Sequence, residues 1–257
     1  MAPMKKTLVT LLLSSILFAA TPEQVDHYLS ISNADEQLVE LETLFSQMQN
    51  NLNQMSEDED SQSSYDMEML SIRFKEYLQK HLSEEEMKEI LDQYKNIILL
   101  QYVSATAESQ LQDEESIKKY LETLEHDPDM EARKKLVEKI SDEMYSKESM
   151  SLMFDNLMKP LMENAPGGDK ISDEALEKSR KEYIERMAEE TRKETLYATR
   201  DFTMEELEKL EQIAKDPAIS KETEAVFGAT AYALQEFFLS LSKRYDISKH
   251  QPGQTSH

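Results

Sequence analysis

Chemistry in this chain would have to come from carboxylates, because cysteine is absent and histidine is scarce. The lack of cysteine removes disulfides, thiol nucleophiles and thiolate metal sites. The five histidines, His27, His81, His126, His250 and His257, form no H-E-x-x-H and no pair at helical spacing, so zinc is not expected. No serine elbow, phosphate loop or dinucleotide fingerprint is present. Acids, in contrast, number 52 against 29 lysines and arginines. Glu85 with Glu89, and Glu205 with Glu208, sit about one helical turn apart and would put an acid and a base on one face. The alternation Asp127, Asp129, Glu131 has the rhythm of a calcium loop without its glycine, and Glu57 to Asp60 is a diffuse acidic run. No metal or cofactor is expected from any of these, and a carboxylate-dependent hydrolase stands only as an alternative.

The elements that must carry the paired acids explain them more simply. HLSEEEMKEILDQYK at 81–95 and DFTMEELEKLEQIAK at 201–215 share one pattern, 120 residues apart. A hydroxyl residue (Ser83, Thr203) stands three places before a glutamate (Glu86, Glu206), flanked by Leu82 and Met87 in one copy and Phe202 and Leu207 in the other. That is a capping box with a hydrophobic staple: the hydroxyl accepts from a free amide of the first turn, and the carboxylate accepts from the cap amide. The remaining first-turn acids face the positive helix end. An apolar stripe at helical period follows each cap.

Around these caps the chain reads as helical throughout. Only four glycines and seven prolines occur, and no strand-like alternation persists. The fold class expected is all-α, with antiparallel helical bundles in two related units. Residues 1–19 read as a secretory signal peptide, with Lys5 and Lys6 before an apolar run at 7–18 that ends in Ala19 and Ala20. Cleavage is placed after Ala19, with Ala20 the neighbouring choice, and the natural start is Met1 or Met4. TPEQ then opens a helix over 22–29, with Thr21 as cap and Pro22 in the first position.

The first helical unit spans 21–111, the second 130–245, with a connecting segment at 112–129 and a disordered tail at 246–257. Phe154, Leu157 and Leu161 stand 109 residues after Phe45, Met48 and Leu52, and NAPGGD at 164–169 falls where the acidic segment 55–66 fell. Matching blocks in the same order point to duplication.

The second unit also resembles a known family. The Met-rich segment MSLMFDNLMKPLM, a connecting helix, then Tyr197, Phe202, Thr203, Glu205, Glu206, Leu207 and Pro217 resemble the DUF2059 family of exported bacterial proteins of unknown function. The resemblance covers mainly 130–240. It implies a helical fold and an exported location, and it carries no established chemistry.

Function is therefore sought in surfaces. Fifteen methionines occur, and Met144, Met150, Met153, Met158 and Met162 gather before NAPGGD. Flexible thioethers fill cores and line adaptable grooves. The binding surface expected is apolar, built from Met150, Met153, Phe154, Leu157, Met158 and Leu161 together with Phe227, Leu234, Phe238 and Leu241 of the last helix. It would hold a helix or unfolded segment of an envelope protein, apolar or basic. Net charge is -23, and the signal removes Lys5 and Lys6 with no acid, giving -25. That field disfavours nucleic acid and anionic membranes. No later segment reaches the roughly 20 apolar residues of a membrane span. The expectation is a non-enzymatic, periplasmic or secreted binding module, with a purely structural role as the other alternative.

Overall fold

The computed structural model describes residues 18–54, 66, 69–112, 114–125, 130–165 and 171–242. Most of the expected signal peptide, the acidic segment 55–65, Asp127 with Asp129, most of NAPGGD and the tail lie outside the described residues. Within them the chain is an all-α bundle with no strand; one isolated antiparallel bridge joins Ala19 to Ser83. Among the described residues no helix is long and apolar enough to cross a membrane.

The helices follow the local signals. Helix α1 (Pro22–Ile31) begins at Thr21, which accepts from Gln24 while Gln24 accepts in return. Asn33, at φ 62°, makes the corner into α2 (Ala34–Gln54), a left-handed conformation that asparagine tolerates. Helices α3 (Met69–His81), α4 (Glu84–Gln93) and α5 (Ile97–Gln110) follow. The segment expected as a connector carries a helix, α6 (Glu114–Glu125), which packs on α10 through the edge-to-face pair Tyr120–Tyr197. Helices α7 (Glu131–Met144) and α8 (Lys147–Met153) lead into a π-helical turn, Phe154–Met158, and then α9 (Lys159–Asn164). The turn widens one step before Pro160: Lys159 N–H donates to the Phe154 carbonyl, and proline cannot donate to the carbonyl four residues back. Helices α10 (Asp173–Ala198), α11 (Met204–Ala214) and α12 (Pro217–Ser242) complete the bundle.

One continuous core draws on α1–α5 and on α7, α11 and α12. Helix α12 packs on α3 and α4, and α5 packs on α10 and α11, so each of these two helices is shared across the chain. This differs from two self-contained bundles. Both α5 and α12 are apolar on more than one face, and a helix of that kind must bury itself between several neighbours. Close approach of α3 to α12 depends on small residues: Ala225, Ala229 and Ala233 are buried, and a Cβ on Gly228 would lie 2.3 Å from the Tyr77 hydroxyl oxygen. Arg133 on α7 fixes the turn into α11. It is buried and donates to the carbonyls of Thr199 and, at 2.6 Å, Phe202.

Candidate functional site

Both capping boxes form, and they occupy the carboxylates that sequence spacing had nominated. Ser83 N–H donates to Glu86 Oε2 at 2.8 Å and Glu86 N–H to Ser83 Oγ at 3.2 Å. Thr203 and Glu206 repeat this at 2.7 and 3.2 Å. Donation from the cap amides holds both glutamates below the ordinary carboxylate range. Glu85, Glu89 and Glu208 are exposed, and Glu205 pairs with Lys209 at 2.7 Å. None of these acids lines the hollows described below. Among the described residues no group of acids and histidines could hold a metal ion.

The apolar residues named from sequence are largely used inside the bundle. Met150, Phe154, Leu157 and Leu234 are buried, and α8 and the π-helical turn pack on α12. Met153 and Phe238 pack against the core, Phe238 edge-on to Phe45, while Met158 and Leu161 are half-buried. The Leu241 side chain lies outside the described residues. Of that set Phe154 lines a hollow with Asp155 and Arg180, and Phe227 lines a separate hollow that holds an acid of α12.

That hollow, about 190 Å³, lies where α1, α2, α5 and α12 meet the end of α7. One acid enters it, Glu222, from the second turn of α12. The helix is positioned by Asp216, whose Oδ1 accepts from Ala218 N–H at 2.9 Å. Tyr28 of α1 donates its hydroxyl to Glu222 Oε1 at 2.8 Å, and Tyr94, at the end of α4, donates to the same oxygen. The two rings meet edge to face at 5.9 Å. No described residue donates to Oε2.

Tyr102 and Tyr145, whose hydroxyls lie 3.4 Å apart, form a second polar spot, and Leu99, Met144, Ile219 and Val226 supply apolar walls. Among the described residues no lysine, arginine or histidine lines the cavity. Burial pushes the Glu222 carboxyl up to about 7, against the opposing pull of the Tyr94 and Tyr28 hydroxyls. Burial first, and then the charge of Glu222, raises both of those phenols well above 10.

No family model matches the chain. Nor does any curated protein or solved structure match it significantly. The resemblance of 130–240 to the DUF2059 family therefore rests on its quoted residues alone.

Sequence reasoning passed over Glu222, Tyr28 and Tyr94. A signal for the acid was present, because the offset of 120 that aligns the two caps also aligns Tyr102 with Glu222. Both side chains line the one cavity.

Proposed function

We propose that this protein is an exported, non-enzymatic binding module, and that the group it binds is an alkylammonium held by Glu222 inside a tyrosine-lined cavity. The observation that carries this reading is Glu222 Oε2: on a half-buried side chain, this oxygen has no described protein donor, and no lysine, arginine or histidine among the described residues lines the cavity. An ionised carboxylate in such surroundings is costly until a cation or a proton joins it. An ammonium supplies the missing donors, and the faces of Tyr28, Tyr94, Tyr102 and Phe227 suit its charge and its methylenes. The hollow exceeds by more than tenfold the roughly 10–15 Å³ that one water requires. Catalysis is the second reading, favoured by a carboxyl poised near neutrality. Against it, the described lining holds a single acid, where glycoside-type hydrolysis uses two.

Export is supported by Lys5, Lys6 and the apolar run that follows them, and periplasmic or secreted location comes with it. Membership of the DUF2059 family belongs to the same proposal. Duplication is supported by the reciprocal packing of α3 with α12 and α10 with α5, together with the equivalent placing of Tyr102 and Glu222. The test is calorimetric titration of the mature chain with n-butylammonium, n-butanol and butyrate. Wild type should take up n-butylammonium alone, releasing a proton near pH 7, and Glu222→Gln should not bind it. Equal binding of n-butanol, or an unaltered Glu222→Gln isotherm, refutes the ammonium site.

A further inference from the structure

Beside the Glu222 cavity lies a second, larger hollow of about 440 Å³, lined by Asn33 at the corner into α2 and by residues of α2 and α5. Its lining brings the apolar Ile31, Leu100 and Val103 together with Glu36, Glu40 and Glu108. These three glutamates are exposed, and none has an ion pair among the described residues. Among the described residues its lining contains no lysine, arginine or histidine. Gln37 and Val103 line both hollows, so the two lie side by side at these residues. The chain thus places a hollow edged by three acids without a described ion pair next to one that holds a carboxylate oxygen without a described donor.

We infer that the groove between α2 and α5 takes a short basic segment of a partner polypeptide, one of whose lysines passes Gln37 and Val103 to bring its ammonium to Glu222 Oε2. This rests on the ammonium reading above and adds the identity of what carries the ammonium. Charge complementarity selects the occupant. An acidic segment would face three rim carboxylates and Glu222, whereas a basic segment meets each of them with the opposite sign. A lysine suits Glu222 because its four-methylene stem lies against apolar wall while its head reaches the carboxylate. An arginine is left to the rim, where its flat fork finds exposed carboxylates.

The experiment compares a blocked peptide with a central lysine flanked by arginines, the same peptide with norleucine at the centre, and n-butylammonium. Each is titrated into the mature wild-type chain and into a Glu36→Gln/Glu40→Gln/Glu108→Gln variant. In wild type the lysine peptide should bind at least about tenfold more tightly than n-butylammonium, and norleucine should weaken it by about tenfold or more. The rim variant should lose about tenfold for the peptide and nothing for n-butylammonium, since rim charges act on the segment and not on the buried head. A peptide that binds no more tightly than n-butylammonium, a norleucine peptide that binds as well as the lysine one, or a rim variant with unchanged peptide affinity overturns the groove while the ammonium site stands. Failure of n-butylammonium to bind wild type removes the ammonium site, and the groove proposal falls with it.

Discussion

Glu222→Gln gives a sharp test of the cavity, because its effect on stability should change with pH. The carboxyl titrates at about 7 in the folded chain against 4.5 in its ordinary state. Between those values the folded form holds a proton that the unfolded form has released, so stability falls as pH rises. Below about 4.5 both forms are protonated and nothing is lost; above about 7 both are ionised and the full penalty applies. The difference of 2.5 pKa units corresponds to roughly 3 kcal/mol, of which roughly 2.5 kcal/mol develops between pH 5 and pH 8.

Glutamine keeps an oxygen to accept from Tyr28 and Tyr94 and has no charge to desolvate. Urea unfolding of both proteins at a series of pH values should give curves that nearly meet at pH 5 and separate steadily above it, with the variant the more stable. In thermal melts the separation at pH 8 would be about 5–10 °C for a chain of this size. Tyr28 and Tyr94 stay neutral throughout, and the exposed acids, common to both proteins, cancel in the difference. Parallel curves, or a variant that loses ground as pH rises, would refute the claim that Glu222 is held in a desolvated cavity.

Three further outcomes are expected. Ser83→Ala removes the acceptor for Glu86 N–H and should cost about 1 kcal/mol in urea unfolding at neutral pH. Without that cap, Glu86 should titrate closer to the ordinary carboxylate range by NMR, and the cost should shrink as pH falls and the carboxylate is protonated. Gly228→Ala drives a Cβ into the Tyr77 ring and should destabilise by roughly 1 kcal/mol net; in a Tyr77→Ala background the same change should stabilise by about 1 kcal/mol, the helix-propensity gain alone. Arg133→Leu leaves the carbonyls of Thr199 and Phe202 without their donor and should cost roughly 2–3 kcal/mol, measured by the shift in urea midpoint at constant slope.

What the sequence disclosed divides by the range of the interaction. The caps at Ser83 and Thr203 were legible because a box closes within four residues, whatever the rest of the chain does. The start of α1 at Thr21 was legible for the same reason. Burial of the Met-rich segment was not, since Met150, Phe154 and Leu157 offer the same pattern to a groove as to a neighbouring helix, and only the path of α12 decides. The hollow lined by α2 and α5 joins residues far apart in the chain, a meeting that local pattern does not encode.

Glu222 lies between these cases. Its partners Tyr28 and Tyr94 stand 194 and 128 residues away, so the hydrogen bonds themselves were beyond local reading. Its burial was not. Ala218, Ala225 and Ala229 lie four residues before it and three and seven after it, which puts the acid in the middle of the buried stripe of α12. Glu224, two residues on, faces solvent as an ordinary surface acid does. An ionisable side chain in the centre of an apolar stripe lowers stability at neutral pH, and a glutamine or leucine there would avoid that loss. A core selected for stability alone would discard such a residue. Its presence, together with two tyrosines that donate to one oxygen and leave the other without a described donor, makes the second turn of α12, and not the more conspicuous acids of the caps, the place where the binding proposal stands or falls.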